Sequence, residues 1–506
     1  MADPRIEEAQ NNLRKRVLEP EALQLISEAM ARKYKAIPLA VDGNVLRVAM
    51  ANPADILAIE ALASLTQMRI EPEIASVEDI LEAIDFNYKA YDEIEKQISS
   101  IALPSGKLAG NLTLDTATEA PVAQALTLII DEAVKARASD IHLQPGENHL
   151  RVRYRIDGTL HDMFSLPLMT ATPIISRIKI LANMNIADHH RPQDGQFSVR
   201  TKGRVIDVRV GSIATVYGEM ATLRLLDKSR ATLSLSDLGF LPNSLDKFES
   251  MLKVPYGIIL VSGPTGAGKT TTLYASVNCL DQVERNIITV EDPVEYRFEN
   301  INQIQVNPRA GITFASGLRS ILRLDPDVIL IGEIRDAETA NIAIQSALTG
   351  HLVLSSIHAN DAIGVVLRLI DLGVEPFLVS SALIGVIAQR MVRSVCPSCA
   401  RPIEASPAES MTYNQEMGET KSEFIYGSGC KSCANSGYRG RTGIFEILCS
   451  NDEMKTLLLK GASAGALREQ AIKDGMVTLL KDGMCKVKEG LTTPTEVLRN
   501  AYSVSE

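Results

Sequence analysis

The stretch Gly263-Pro264-Thr265-Gly266-Ala267-Gly268-Lys269-Thr270 has the residue types and spacing of a phosphate-binding loop, G-x-x-x-x-G-K-[ST]. Glycines let successive backbone N–H groups point inward at phosphate oxygens. The lysine supplies a mobile cation for the β- and γ-phosphates of ATP, and the hydroxyl of Thr270 is placed to take Mg²⁺. The flanks suit that chemistry. Gly257 to Val261 is an apolar run of buried-strand character, and Thr270 to Ser276, with Thr271 beside the loop, reads as a helix whose N-terminus faces the phosphates.

Three further apolar runs end in polar residues, as the carboxyl edge of an open parallel sheet requires. Ile287 to Val290 ends in Glu291, Val328 to Ile331 ends in Gly332-Glu333, and Leu352 to Leu354 lies between His351 and His358. A P-loop enzyme needs an acidic group to hold Mg²⁺ directly or through water, and a carboxylate to orient or deprotonate the attacking water. Glu291 and Glu333 are candidates for both. Ala340, Ile344, Ala347 and Leu348 have helical spacing and read as core, with Gly350 as the C-terminal cap. A different chemistry is written in Cys396-Pro397-Ser398-Cys399 and Cys430-Lys431-Ser432-Cys433, where two C-x-x-C pairs supply four thiolates for a closed tetrahedral Zn²⁺ site. Residues 400–429 between the pairs would form a loop. Cys279, Cys449 and Cys485 stand alone and read as small apolar residues.

These residues need scaffolding, and 506 residues allow several domains. A hydrophobic fraction of 45% is ordinary for a globular chain, and a net charge of −10 disfavours broad binding of nucleic acid. No apolar run reaches the roughly 18 residues of a membrane span, and the N-terminus lacks signal-peptide character, so a cytoplasmic chain reaching a membrane through a partner is expected. Residues 1–93 read as a small α/β module: a helix from Glu21 to Lys33, a hairpin around Asp42-Gly43-Asn44, and a helix from Pro53 to Leu65 capped by Asn52. A strand from Arg69 to Ile74 and a helix from Val77 to Ile84 complete it. Residues 94–120 read as a linker. Residues 121–228 begin with a helix from Ala123 to Ala136 and continue in strands such as Leu150 to Ile156, where apolar and basic residues alternate. The pattern of Val205 to Val210 puts Asp207 and Arg209 on one face, and Arg224 follows in the next strand. The nucleotide-binding domain would occupy 236–506, interrupted by the cysteine segment at 396–433.

Taken together, the chain resembles the assembly ATPases of type II secretion and type IV pili, the GspE/PilB-like branch of secretion ATPases. The likeness is carried by Ala138-Ser139-Asp140-Ile141-His142, Arg191-Pro192-Gln193-Asp194-Gly195, the phosphate loop, Ile288 to Tyr296, Leu324 to Asp336 and Thr349 to His358. It implies a RecA-like motor domain in a homohexamer, with a PAS-like α/β second module, a small N-terminal α/β docking domain and a tetracysteine zinc module. It assigns Glu291 to an "Asp box", Glu333 to the Walker B element, and His351 and His358 to a "His box". Arg209 and Arg224 are implied as arginine fingers reaching the nucleotide. The implied partners are an inner-membrane platform protein and a cytoplasmic adaptor at the N-terminal domain. Some relatives bind cyclic di-GMP through repeats starting Arg-Leu-Gly, which are lacking here. A DNA-translocating or conjugative-type motor and a nucleotide-responsive scaffold without turnover are the two rival readings; the acidic charge and the cysteine module disfavour the first, and the complete set Lys269, Thr270, Glu291 and Glu333 the second.

Overall fold

The computed structural model describes residues 20–84 and 116–501, apart from positions 82, 202, 228–232 and 434. The chain divides into two compact units, the first closing at Asp227 and the second running from Lys228.

The first unit holds two separate cores. In the N-terminal one, β1 (Ala36–Asp42) and β2 (Val45–Met50) form an antiparallel hairpin. Its turn takes Gly43 at φ 61°, a conformation that favours glycine. β3 (Arg69–Ile74) returns parallel to β2 after the crossover helix Ile56–Thr66. Two expectations are corrected here. The first helix is broken into Pro20–Leu25 and Glu28–Tyr34, because Ser27 is extended. The crossover helix is capped by Asp55, whose side chain accepts from the Ala58 N–H, and not by Asn52. Asn52 instead accepts from the Ala54 N–H, a local turn that keeps Pro53 out of the helix.

The second core is built on a six-stranded antiparallel sheet ordered β6-β5-β4-β9-β8-β7. Its strands are β4 (Ala138–Pro145), β5 (His149–Ile156), β6 (Thr159–Pro167), β7 (Gln193–Thr201), β8 (Arg204–Thr215) and β9 (Gly218–Asp227). Leu150, Val152 and Tyr154 of β5 turn inward with Val208, Val210 and Leu223, against the helices Thr116–Lys135 and Ala171–Leu181. The alternating arginines therefore stand on the opposite face. The first of these helices starts at Thr116 and carries Pro121 inside it, so the linker ends earlier than the composition suggests. Residues 94–115 of that linker lie outside the described residues.

In the second unit a seven-stranded sheet is ordered β12-β11-β13-β14-β10-β15-β18. Its members are β10 (Gly257–Ser262), β11 (Ile287–Glu291), β12 (Asn302–Gln305), β13 (Val328–Ile331), β14 (Leu352–Ile357), β15 (Leu383–Val395) and β18 (Tyr438–Cys449). Neighbours pair in parallel except β15 with β18. The apolar runs are continuous because both faces are buried. Ile258, Leu260, Ile329, Ile331 and Val353 enter one helical layer, while Ile259, Val261, Val328, Leu330 and Leu354 enter the other. Parallel pairing brings the carboxyl ends of β10, β11, β13, β14 and β15 to one edge. Ala340, Ile344 and Ala347 are core as expected; Leu348 is exposed. Gly350 follows the helix Ala337–Leu348 at φ 107°, in keeping with a C-terminal cap.

Candidate nucleotide site and metal centre

β10 delivers the chain into the phosphate loop, whose Gly266 and Gly268 sit at φ 81° and 92°. The helix Lys269–Asn278 begins at the loop's lysine, as an anion-binding helix start requires. Lys269 Nζ donates to the carbonyls of Gly263 (2.8 Å) and Pro264 (3.2 Å), folding the ammonium over the loop. Burial lowers its pKa, the Glu333 carboxylate opposes that shift, and the Arg390 guanidinium adds to it. Thr270 is exposed in the first helical turn and Thr271 is half-buried beside it.

On the neighbouring strands the two carboxylates occupy different environments. Glu291 is 3% exposed. It accepts from the Tyr274 hydroxyl (2.5 Å), the Thr289 hydroxyl (2.6 Å) and the Gln303 amide (3.2 Å). Burial, followed by the Glu291 charge, raises the Tyr274 phenol above its ordinary pKa, so it stays a donor. Glu333 is partly buried, its side chain 16% exposed. Its Oε1 accepts from Arg335 Nη2 at 2.5 Å, and its Oε2 lies 3.5 Å from His358 Nε2. Burial pushes Glu333 upward, but the Arg335 hydrogen bond and charge, with the charges of His358 and Lys269, outweigh it. The carboxyl is held below its ordinary value. An ionised carboxylate near Lys269 is suited to a divalent cation and to orienting water.

The structure thus gathers the loop, Glu333 and His358 at one sheet edge, with Glu291 on the adjoining strand. It does not gather His351. That residue precedes β14 at the other end of the sheet, where its carbonyl accepts from the Gly257 N–H, 3.1 Å. Its Nδ1 lies 2.9 Å from the Ser346 carbonyl, so its contacts close the end of the preceding helix. The length of β14, about 20 Å at ~3.3 Å per residue, separates it from the loop.

Several residues at this edge were not singled out in the sequence. Tyr274 sits among helix residues and Gln303 in a short edge strand, so neither carries a signal. Arg335 stands two positions after Glu333. Gln389 and Arg390 leave a clearer trace, a polar pair inside the apolar strand run Val386 to Val392. Arg390 Nη2 donates to the Asn360 carbonyl at 2.7 Å.

Arg209 and Arg224 are direct cross-strand partners, which puts them side by side on the face away from the helices. Arg224 Nε donates to Asp140 at 3.0 Å, and Arg155 Nε stands 3.7 Å from the other oxygen of the same carboxylate.

The cysteines converge. All four Sγ atoms of Cys396, Cys399, Cys430 and Cys433 lie within 4.8 Å of one another. Three separations are 3.8 Å (Cys396–Cys430), 3.9 Å (Cys399–Cys433) and 3.7 Å (Cys430–Cys433). A tetrahedron of thiolates at the usual zinc–sulfur length has edges of about 3.8 Å, so the set fits a metal ion. The intervening segment is not a loop, as expected, but a folded insert. Hairpin strands β16 (Ala400–Glu404) and β17 (Glu423–Gly427) bracket the helix Pro407–Met417. Tyr413 and Phe424 of the insert pack with Met484, Val487 and Val497 of the C-terminal helices. Among the isolated cysteines, Cys279 is exposed at a helix end.

A phosphate loop at the carboxyl edge of a mostly parallel sheet, flanked by a strand-end glutamate and histidine, defines a P-loop ATPase motor. Residues 115–499 match the family of type II/IV secretion system proteins, and residues 2–93 match the MshEN domain. The chain belongs to that secretion family, and it is an ATPase of its secretion and pilus-assembly branch. It is 41% identical over 498 residues to the type IV pilus assembly ATPase PilB of Myxococcus xanthus, covering 97% of this chain and 88% of that one. It is 45% identical over 387 residues to the type II secretion system ATPase E of Vibrio cholerae, covering 76% of each. Among solved structures it is similar to the pilus retraction motor PilT with bound ADP: TM-score 0.51, 28% identity, covering 73% of this chain and 95% of that one. The Legionella pneumophila ATPase DotB, at TM-score 0.57 and 20% identity over 74% of this chain and 94% of that one, shares the fold. No helix among the described residues is long and apolar enough to cross a membrane.

Proposed function

We propose that this chain works as a homohexamer on the cytoplasmic face of the inner membrane. Magnesium-ATP hydrolysis would drive assembly of a type IV pilus or a type II secretion pseudopilus through an inner-membrane platform protein. The likeness to both PilB and the type II secretion ATPase supports that pair of cargoes equally. The N-terminal domain (1–93) takes a cytoplasmic adaptor, the second module (121–228) supplies arginines, and the motor domain (236–506) holds the nucleotide.

The observation that carries the catalytic reading is the cluster of Lys269, Glu333 and His358 at one sheet edge. Gly263 to Thr271 cradle the phosphates, with Lys269 on the β- and γ-phosphates and Thr270 on Mg²⁺. Glu333, held ionised, takes the metal and orients the attacking water. His358, beside Glu333, reads the γ-phosphate. Glu291 has each oxygen committed to a donor, which favours an ordering role over proton abstraction. Arg209 and Arg224 act as fingers on the transferring phosphoryl group, and Asp140 orients Arg224 for it. Cys396, Cys399, Cys430 and Cys433 hold a structural Zn²⁺.

The test is ADP binding and ATP turnover by Lys269→Ala and Glu333→Gln. Lys269→Ala is expected to lose nucleotide affinity. Glu333→Gln is expected to keep it while turnover falls by about two orders of magnitude or more. Near-normal turnover in Glu333→Gln would overturn the assignment.

A further inference from the structure

At Gly266 and Gly268, both in left-handed conformations, the loop has no side chain with which to fix its own curvature. Lys269 holds the Gly263 and Pro264 carbonyls, and a group outside the loop holds the Ala267 carbonyl. Gln389, in β15, is 2% exposed and lies against the loop. Its Nε2 donates to the Ala267 carbonyl at 2.7 Å, and its Oε1 accepts from the Thr272 hydroxyl at 2.8 Å. The two contacts straddle Gly268-Lys269-Thr270-Thr271, one on the loop and one on the first turn of the helix. The backbone makes a third point of attachment. A Cβ on Gly263 would lie 2.4 Å from the Gln389 carbonyl oxygen, so that glycine is what lets the loop close on β15.

The direction of the first bond matters most. In a trans peptide the C=O and the following N–H point opposite ways. Drawing the Ala267 carbonyl toward β15 therefore aims the Gly268 N–H away from β15, leaving it to a bound phosphate in the cradle reading. A primary amide carries a donor and an acceptor on separate atoms, so it can donate to the carbonyl and accept from the hydroxyl at once.

We propose that Gln389 is a positioning residue for nucleotide binding, setting the orientation of the Ala267–Gly268 peptide through its paired bonds to Ala267 and Thr272. The inference rests on the reading of residues 263–271 as the phosphate cradle.

The experiment measures the affinity of the assembled full-length protein for a fluorescent ADP, with KM and kcat for ATP and the thermal unfolding midpoint. The variants are Gln389→Ala, Gln389→Glu, Thr272→Val, Thr272→Ser, the double variant Gln389→Ala/Thr272→Val, and Lys269→Ala as control. Gln389→Ala and Thr272→Val are expected to weaken ADP binding by about tenfold each and to raise KM similarly, with kcat changed by less. Gln389→Glu, which cannot donate to the carbonyl when ionised, should be at least as weak as the alanine variant at a pH where the carboxylate is charged. Thr272→Ser keeps the hydroxyl and should restore wild-type affinity. The double variant should lose less than the product of the single losses, because both disable one device. Should Gln389→Ala fail to fold, the nearly isosteric Thr272→Val with its serine rescue decides. ADP affinity within twofold of wild type in a folded Thr272→Val, while Lys269→Ala has lost binding, overturns the inference alone. Wild-type affinity in Lys269→Ala overturns the cradle reading beneath it.

Discussion

Glu291 and Glu333 look alike in the sequence, each the first carboxylate after a buried strand, and the fold makes them different. Glu291 is sealed among Tyr274, Thr289 and Gln303, whereas Glu333 is held by Arg335 beside His358. Tyr274→Phe removes one donor from a buried carboxylate. That change is expected to cost about 1–3 kcal/mol of motor stability, read as a lower denaturant midpoint, with ADP still bound. Glu333 gives a pH prediction. Its folded-state pKa is depressed, so the ion pair contributes at neutral pH and that contribution is lost only as pH falls through the depressed value. Removing Arg335 leaves the upward push of burial less opposed. The acid limb of ATP turnover attributable to Glu333 should therefore move to higher pH in Arg335→Met. An unmoved limb would show that Glu333 does not set it. Which carboxylate is sealed was not legible in the chain, because Tyr274 and Gln303 lie 17 positions before and 12 after Glu291.

At the scale of elements, the sequence spoke clearly where burial is two-sided or turn chemistry is explicit. β10, β11, β13 and β14 read directly as apolar runs, and each ends in the polar residue expected of it. It was less informative where local hydrogen bonding decides. Ser27 and Asp55 set helix boundaries that periodicity alone places elsewhere. His351 and His358 appear symmetrical about one strand, yet a six-residue strand puts its two ends on opposite edges of the sheet. The cysteine spacing announced a metal centre but not the folded insert between its halves. That centre depends on a close approach of two glycines, since a Cβ on Gly427 would stand 1.9 Å from the Gly437 carbonyl oxygen. Gly427→Ala should push β17 from the second cysteine pair. It is expected to lower the zinc bound per chain, measured by metal analysis, as Cys396→Ser is also expected to do. Full zinc content in Gly427→Ala would show that the centre tolerates the displacement.

For the whole molecule, the sequence resemblance reached further than the geometry of a single chain. The chemistry at the sheet edge has a phosphate loop, a carboxylate and a histidine, but a phosphoryl-transfer motor also needs cations at the transferring group. The second module holds such cations, Arg209 and Arg224, adjacent on the face of its sheet away from its own helices. As the proposed fingers of a hexamer, they would complete the catalytic constellation and tie turnover to domain movement. The most direct measurement is steady-state ATP hydrolysis by the purified assembled protein, comparing wild type, Glu333→Gln and Arg209→Ala at matched nucleotide occupancy. Both variants are predicted to bind ADP normally and to lose turnover, Arg209→Ala by about a hundredfold or more. Wild-type hydrolysis by assembled Arg209→Ala would contradict that coupling, leaving the basic strand a solvated face and the second module without a part in the chemistry.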